Sequence, residues 1–489
     1  MATSSSWHKN LKKFLSTFLK GEGALPVVLI SLFLSFSMGS TVAIIPEILS
    51  DRFSRVYHGY NGDLMCSSFN HQTMPIPCRH GADDAQEAAA WASMLENSLT
   101  LFCNPVIGRL SDMHGRRRIF ILCTSMYVWG PLMLIGMQLW PRMNPIFYYV
   151  ANSLVGGISY MGIAFAILSD SMPEEVRTAS FGVIMAAFYG GFALSPFGAT
   201  VMNHFQISIV SFILAIAASL YALICFPETL PDSVRENNIR HRTSQHDDRL
   251  SLWRSIWRAV SRPFHEMSIL NRTMAIRLVA VGSFFSSMVY ATDKNLVVFY
   301  MERYLNVRES DIAFQFLVMG LVGVLIQAVL LQPLLKFFGE KGLLVLSFLS
   351  GTLHNFLYGA ARNKLTLYFA LGLSQLTKTN TPILASLASQ DASVNEQGQI
   401  QGALYAVNAL SAAIGPVTMQ FVYRRTKENL GPGTMFVVAS ILYFMGTIVV
   451  SFIPVRQRVA TEEMAIESRP ILDDLEEPLL LQRTESNGS

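Results

Sequence analysis

The chain has 489 residues, of which 51% are hydrophobic and only 15% are charged, whereas a typical soluble domain has roughly 25% charged residues. Its net charge of +3 is too small to indicate nucleic acid or another polyanion as a partner. Apolar runs of about 20 residues, long enough to cross a bilayer as helices, recur along the whole sequence. Composition therefore excludes a soluble globular protein and predicts a polytopic membrane protein.

Hydropathy predicts twelve membrane-spanning helices after a polar and basic stretch at 1–23. No cleaved signal peptide is expected, because the first apolar run is long enough to span the bilayer. The predicted spans are 24–49, 88–107, 119–140, 146–168, 181–202, 207–226, 276–300, 313–335, 343–361, 365–387, 401–423 and 435–453.

The loops predict the orientation of the chain. Twelve spans place both termini on one side, and the segments on that side carry 23 Lys and Arg residues against 11 in the opposite loops. Because positive loops stay on the cytoplasmic side, we expect both termini to be cytoplasmic.

One long polar segment, 227–275, divides the spans six and six. Within it, an apolar face containing Trp253 and Trp257 is edged by arginines, which predicts a helix lying in the membrane interface, and 1–23 has the same amphipathic character. We expect two six-helix bundles, at 24–226 and 276–455, followed by a disordered cytoplasmic tail at 456–489.

The two predicted bundles resemble each other in sequence. At a constant shift of 220 residues, three pairs match: Gly182 with Gly402, Ser169 with Ser389, and Pro196 with Pro416. Gly339 stands roughly where Gly115 stands in the first bundle. Duplicated halves are typical of secondary transporters, which bind substrate between the repeats.

The stretch "GRLSDMHGRRR" at 108–118, followed by "PETL" at 227–230, resembles the signatures of the major facilitator superfamily. The resemblance covers residues 24–455 and implies an all-α fold of twelve helices in two pseudo-symmetric bundles. It assigns a gating role to eight positions: Gly108, Asp112, Gly115, Arg116, Arg117, Arg118, Asp170 and Arg177. It also implies that Gly115 makes a tight turn and that Asp112 and the arginines form a charge latch against the start of span 11.

The chain also departs from family patterns. Met113 occupies a usually basic position, so one latch contact is expected to be missing. The antiporter signature of span 5 keeps Gly191 and Pro196 but has Ser195 in place of a glycine, which weakens the interpretation as a drug exporter. Within the superfamily, the chain is most similar to the branch of tetracycline-resistance exporters, hippocampus-abundant-transcript proteins and proton-coupled folate transporters.

Four charged residues fall inside predicted spans, where an unpaired charge costs several kcal/mol and a functional role is the first hypothesis. Glu96 and Asp293 are candidates for loading and releasing a proton. Lys378 and Lys294 are candidates for holding an anionic substrate group. Adjacent helical residues point about 100° apart, so Asp293 and Lys294 are not expected to pair with each other. The alternative is a set of static ion pairs that hold helices together.

Several uncharged polar side chains also lie within spans and are weaker candidates for substrate binding, because such groups more often join helices. They are Asn97, Asn152, Tyr189, Gln327 and Asn408. His354 is interpreted as a packed histidine. Cys66 and Cys78 share the first outer loop, where disulfides persist, and we expect them to be bridged or, alternatively, to be free thiols.

The tail contains "EEPLLL", in which Glu476, Leu480 and Leu481 match an acidic dileucine motif for sorting adaptors. It favours a lysosomal, vacuolar or endosomal membrane, with the plasma membrane as the alternative. No Walker loop and no zinc-spaced cluster of His and Cys is present, so we expect neither an enzyme nor a cofactor nor a bound metal.

These features together favour a monomeric secondary active transporter that moves a small organic solute through the lipid bilayer, coupled to protons, with an anionic substrate favoured by the membrane lysines. Two alternatives remain open at this point. One is facilitated diffusion, in which flux ignores an imposed pH gradient, and the other is a non-transporting sensor or scaffold on the same fold.

Overall fold

The computed structural model describes residues 16–69, 73–158, 160–230, 267–305, 307–389 and 397–454. Every regular element of this described part is helical. The described residues up to Phe452 belong to one compact unit. The predicted interfacial helix of the central segment, most of the N-terminal stretch and the sorting motif of the tail lie outside the described residues.

Sixteen helices are used as labels below. They are α1 Ala24–Val42, α2 Ile45–Tyr57, α3 Ile76–His114, α4 Arg116–Met126, α5 Trp129–Leu139, α6 Ile146–Gly157, α7 Tyr160–Ser171, α8 Glu174–Leu194, α9 His204–Cys225, α10 Met274–Leu305, α11 Glu309–Val324, α12 Leu331–Ala360, α13 Lys364–Thr377, α14 Asn380–Ser389, α15 Gln397–Thr426 and α16 Thr434–Ser451. Single 3₁₀ segments lie at Cys66–Ser68, Ser195–Thr200 and Met267–Asn271, and Leu325–Leu330 is a π-helix.

The predicted spans fall on these helices, singly or as consecutive pairs. Seven stretches of the described chain are both long and apolar enough to cross a membrane: Ala24–Val42, Arg116–Leu139, Ile146–Leu168, His204–Cys225, Met274–Leu305, Phe337–Ala360 and Thr434–Ser451. The other predicted ranges are also helical, but they are more polar or are interrupted, as α13 and α14 are at Lys378 and Thr379.

The helices turn apolar side chains outward and small polar side chains towards each other. Ile224 on α9 is 74% exposed, whereas Ser211 on the same helix is fully buried. The Ser37 hydroxyl of α1 donates to the Ser211 carbonyl at 2.8 Å. Packing through small and hydroxyl-bearing residues, beneath an apolar exterior, is the pattern of helices assembled in lipid.

We call residues 24–226 the first half and residues 276–455 the second half. Leu101 of α3 packs against Ala406 and Ala409 of α15. The rings of Phe192 on α8 and Phe316 on α11 lie 5.5 Å apart. The halves therefore meet where α3 contacts α10 and α15 and where α8 contacts α11, and the candidate side chains lie along these contacts.

A disulfide marks one end of the helices. Cys66 and Cys78 are bonded, with their Cα atoms 5.5 Å apart. Cys78 belongs to the first turn of α3, so we call this end of the protein the disulfide end, and the end carrying the α3–α4 turn the signature end. The Cys66 N–H donates to Asp51 Oδ1 at 3.1 Å, which fixes the loop onto α2.

Candidate functional site

Three of the predicted residues, with one that the sequence did not single out, form a connected series between the halves. Glu96 of α3 is the strongest charged influence on Lys294 of α10, although no ion pair within 4 Å joins them in the described structure. Tyr290, one turn earlier on α10, is 52% exposed and lies near both Lys294 and Tyr189 of α8. Exposed polar side chains from both halves thus face a common space.

Lys378 completes this series. Its Nζ lies 6.0 Å from the centre of the Tyr189 ring, within cation–π range. It also lies beside Gly323 of α11, where a Cβ would be 3.3 Å from the amine. Lys378 sits at the break between α13 and α14, and interrupted helices are typical of substrate sites in transporters. We call Glu96, Lys294, Tyr290, Tyr189 and Lys378 the central group.

The Glu96 side chain packs against a glycine of the neighbouring helix α6. A Cβ at Gly156 of α6 would overlap the Glu96 side chain, so the absence of a side chain there lets the carboxylate lie directly on the α6 backbone. The charge of Glu96 also reaches Tyr127 and Tyr148, which are buried in the first half. Glu96 is therefore fixed to the first half, while its electrostatic partner belongs to the second.

Asp293 does not pair with a lysine. Its Oδ2 lies 3.0 Å from His354 Nε2 on α12, and the His354 side chain is 1% exposed. As the sequence predicts, Asp293 and the adjacent Lys294 point in different directions, one into the second half and one towards the first. His354, which the sequence indicates only as a packed residue, is thus the partner of a membrane carboxylate.

Polar contacts join α3 to the second half above and below Glu96. Asn295 Nδ2 of the second half donates to the Ser93 hydroxyl at 3.0 Å, whereas Asn97 donates to the Ser93 carbonyl at 2.8 Å within α3 itself. Further towards the signature end, Asn104 donates to the Tyr405 hydroxyl at 3.1 Å. Asn104 and Tyr405 line a cavity of about 680 Å³ between α3 and α7, which Arg116 borders at the signature end.

The remaining candidates lie elsewhere. Asn152 Oδ1 lies against Gly130 of α5. Asn408 accepts a hydrogen bond from Ser287 within the second half. The side chains of Gln327, Asp112 and Arg177 are outside the described part of the structure. Asn152 and Asn408 therefore contact neighbouring helices of their own half. The roles of these five residues in binding or gating stay predictions.

At the disulfide end a buried acid holds the halves together. Asp83 of α3 forms an ion pair with Arg303 of α10, accepts a hydrogen bond from Lys427 at 2.6 Å and accepts another from the Tyr423 hydroxyl at 2.9 Å. Glu87, one turn further, pairs with Arg424 at 2.6 Å. We call Asp83, Arg303, Tyr423 and Lys427 the outer latch.

The outer latch is insensitive to ordinary changes of pH. Burial tends to raise the pKa of Asp83, but Arg303 and Lys427 outweigh this effect and hold its pKa below the ordinary value. The ion pairs of Asp83 are therefore fully formed above the ordinary aspartate pKa of about 3.9. They are lost only as the pH falls through the lowered pKa of Asp83. The sequence showed these residues only as loop charges.

The signature turn is built around Glu228 of the "PETL" stretch. Gly115 has φ +94°, and a Cβ there would overlap the Glu228 carboxylate. That carboxylate accepts from the Arg116 N–H at 2.8 Å and from the Arg117 N–H at 3.2 Å, which caps the first turn of α4. The predicted tight turn is present, and Glu228, whose role the sequence did not indicate, is the residue that it accommodates.

The signature arginines are engaged within the first half. Arg116 Nε donates to Asp170 Oδ2 at 2.8 Å, and its Nη1 donates to the Ser111 hydroxyl at 2.6 Å. Arg117 donates to the Leu223 carbonyl at 2.9 Å, and Arg118 is exposed. Gly339, the predicted counterpart of Gly115, likewise has a positive φ of +68° at a kink inside α12. In the described residues no group of three or more His, Cys, Asp or Glu side chains is arranged to hold a metal ion.

Comparisons with known proteins agree with this geometry. Residues 27–416 match the sequence profile of the Major Facilitator Superfamily. Hippocampus abundant transcript-like protein 1 of Bos taurus is 24% identical over 379 residues, covering 73% of this chain and 72% of the relative. The class E tetracycline resistance protein of Escherichia coli is 25% identical over 362 residues, covering 71% and 81% of the two chains.

Solved structures share the fold. The human organic anion transporter MFSD10 (TETRAN) superposes with a TM-score of 0.60 at 20% identity, covering 88% of this chain and 98% of that one. The inward open xylose transporter XylE of E. coli has a TM-score of 0.59 at 13% identity, covering 90% and 97%. The profile matches more than half of the residues, and the chain is therefore a multi-pass membrane protein belonging to the Major Facilitator Superfamily, whose members are transporters rather than enzymes.

Proposed function

We propose that this protein is a secondary active transporter of a small organic anion, coupled to protons and working by alternating access between its halves. The observation that carries the proposal is the pair of lysines in the central group. Lys294 and Lys378 come from different helices of the second half, face the first half, and take part in none of the ion pairs of the described residues.

An unpaired cation at this depth favours an anionic ligand. A charge inside a membrane protein costs several kcal/mol unless it is hydrated or paired, so a lysine held there without a carboxylate within 4 Å is stabilised when an anion arrives. Tyr189 and Tyr290 add two exposed rings beside the lysines, which suits a ligand with an apolar body. The organic anions named for the human structural relative are of this chemical class.

Alternating access is supported by where the halves touch. The described contacts of α3 with the second half run from Asp83 at the disulfide end to Asn104, while the cavity of about 680 Å³ lies towards the signature end. The central group is thus covered by the outer latch. A carrier in this state has to break the outer latch before the central group can face the disulfide end.

Lys378→Ala is expected to weaken binding of an anionic substrate by about 10-fold or more, because a hydrogen bond to a charged group contributes about 1.5–3 kcal/mol. The probe is a panel of aromatic and aliphatic carboxylates, screened by the thermal shift of the purified protein, since a ligand of the native state raises its unfolding temperature. Lys20→Ala, at an exposed position outside the halves, is the matched control. Equal affinity in both variants would remove Lys378 from the binding site.

Neutralising both membrane carboxylates, as Glu96→Gln with Asp293→Asn, is expected to abolish accumulation driven by an imposed pH gradient while leaving counterflow exchange intact. The reason is that a proton can shift the balance of the two access states only through unequal binding to them. The measurement is uptake, into proteoliposomes, of the labelled carboxylate that gives the largest thermal shift. Full gradient-driven uptake by the double variant would favour facilitated diffusion, and binding without any flux in the unmodified protein would favour a sensor.

The cellular membrane, the orientation of the termini and the role of the tail motif are part of the same proposal. The dileucine pattern at Glu476, Leu480 and Leu481 favours recognition by sorting adaptors and delivery to a lysosomal, vacuolar or endosomal membrane. Replacing Leu480 and Leu481 by alanine in a fluorescent fusion, and following its location, tests this address.

A further inference from the structure

The polar cluster around His354 lies inside the second half, behind the central group. Asp293 on α10 faces His354 on α12, and the side chain of Asp293 is 18% exposed while that of His354 is 1% exposed. His354 Nδ1 lies 3.2 Å from the Ser350 carbonyl oxygen, and its Nε2 lies 2.9 Å from Asn355 Nδ2. Every polar atom of the imidazole therefore has a neighbour.

The hydrogen-bond directions decide where protons can be. The Ser350 carbonyl only accepts, so Nδ1 carries a hydrogen. Asn355 Nδ2 donates one hydrogen to the Gly351 carbonyl at 3.1 Å and the other to His354 Nε2. With Nε2 accepting, the 3.0 Å contact to Asp293 Oδ2 requires a hydrogen on the carboxyl group.

The other arrangement holds the same number of protons. If Nε2 carried the hydrogen, Asn355 would have to turn its amide oxygen towards it, and that oxygen would then face the Gly351 carbonyl oxygen. In both arrangements the contact between Asp293 and His354 contains one proton. Without that proton, either two lone pairs face each other at 3.0 Å or, if the remaining imidazole hydrogen moves to Nε2, the Nδ1 lone pair faces the Ser350 carbonyl oxygen at 3.2 Å.

The other oxygen of Asp293 favours the neutral form. Oδ1 is buried and has no hydrogen-bond partner among the described residues. A buried carboxylate oxygen without a donor is costly, and a carboxylic acid at the same place costs less. Both oxygens of Asp293 thus point to a proton bound at this contact.

The groups that surround Asp293 and His354 supply no positive charge that could take the place of that proton. Tyr358 on α12 and Tyr443 on α16 place their rings 5.3 and 6.0 Å from the imidazole, and both lie near the charge of Asp293. Lys294, the next residue on α10, is oriented towards Glu96. Ser374 and Thr377 of α13, which lie beside these two tyrosines, are uncharged. In the described structure Asp293 forms an ion pair with no residue other than His354.

We propose that Asp293 and His354 together form the proton-binding site of this carrier, with Asp293 as its accessible edge and His354 as its buried partner. This inference rests on the proposed function in taking the protein to be proton-coupled, and it assigns that coupling to the pair rather than to Glu96. Glu96 then serves as the counter-charge of Lys294 across the interface.

The position of the pair explains how protonation reaches the substrate. Loss of the proton leaves a repulsive contact either between His354 Nε2 and Asp293 Oδ2 or between His354 Nδ1 and the Ser350 carbonyl oxygen, so the imidazole and the part of α10 that lies against it have to shift. The next two residues of α10, Lys294 and Asn295, are the ones that face Glu96 and bind Ser93 in the first half. A small displacement of α10 therefore alters the central group and the contact between the halves.

The test counts protons on the purified full-length protein and needs no substrate. The protein is moved from pH 8 to pH 5, and the protons taken up are measured with an indicator dye for the unmodified chain, Asp293→Asn, His354→Phe and the double variant. Each single variant and the double variant are expected to take up the same number, about one proton fewer than the unmodified chain, because the proton belongs to the pair.

Tyr358→Phe is the matched control, since it removes a hydroxyl from the same cluster and leaves the pair in place; its proton count is expected to equal that of the unmodified chain. The proposal is overturned if His354→Phe keeps the full count, or if the two single losses add in the double variant. Should His354→Phe not fold, His354→Gln repeats the measurement. The proposed function fails separately, if the unmodified chain binds the proton but shows no uptake driven by a pH gradient.

Discussion

Asp83→Asn is expected to open the disulfide end and to shift the balance between the two access states by about 100-fold or more. Asp83 is buried and receives an ion pair and two hydrogen bonds from the second half, all of which have to break when this end opens. Removing one partner of a buried ion pair costs about 3–5 kcal/mol, because the remaining charges stay buried without compensation. Each 1.4 kcal/mol changes an equilibrium about tenfold.

The measurement is the rate at which a membrane-impermeant maleimide labels Ser93→Cys, a position that is 2% exposed beneath the outer latch. Cys225→Ser supplies a background without the exposed cysteine. Asp63→Asn is the matched control, since Asp63 is exposed at the disulfide end and takes part in none of the ion pairs of the described residues. Labelling that is equally slow in both variants, at any pH from 5 to 8, would mean that the outer latch does not hold this end closed.

Gly115→Ala is expected to lower the free energy of unfolding by about 1.5–5 kcal/mol, the sum of two contributions. A backbone with φ +94° and ψ 147° costs a residue with a Cβ about 1–3 kcal/mol, and displacement of Glu228 removes a helix cap that contributes about 0.5–2 kcal/mol. The change is measured as the fall in the thermal unfolding temperature of the purified protein.

Two other glycines separate the contributions to that fall. Gly339 has a positive φ but open space around it, so Gly339→Ala should show the backbone strain alone. Gly108 lies within α3 with no atom near its would-be Cβ, so Gly108→Ala should not destabilise the protein. If the unfolding temperature of Gly115→Ala is no lower than that of Gly339→Ala, the Glu228 carboxylate contributes nothing to the stability of the turn.

Hydropathy and motif spacing were enough to predict the helices and the family. Lipid solvates only apolar surfaces, so long apolar runs in the sequence translate directly into helices such as α9 and α16. The interruption at Lys378 and Thr379 was not predicted, although the polar run around it and Pro382, which lacks a backbone donor, are the local signals for such a break. The kink at Gly339 inside α12 was anticipated only through its likeness to Gly115.

The sequence indicated the charged residues of the site but not the residues with which they form ion pairs. Helical periodicity correctly separated the directions of Asp293 and Lys294, since it depends only on neighbours along the chain. The pairing of Asp293 with His354 joins residues 61 positions apart, and that of Asp83 with Lys427 joins residues 344 positions apart. Such contacts depend on how helices are arranged in space, which the order of residues does not show.

Helix α3 carries most of these elements on a single body. It runs without a break through 39 residues, about 58 Å, from Ile76 at the disulfide end to His114 at the signature turn. Asp83, Glu96 and Asn104 lie along it in that order, and Leu101 rests on the small residues Ala406 and Ala409 of the second half. A helix that contacts the second half through such small residues can tilt about this contact, so that moving its disulfide end outward brings its signature end inward. The two openings would then exclude each other by geometry, with no signal passed between them.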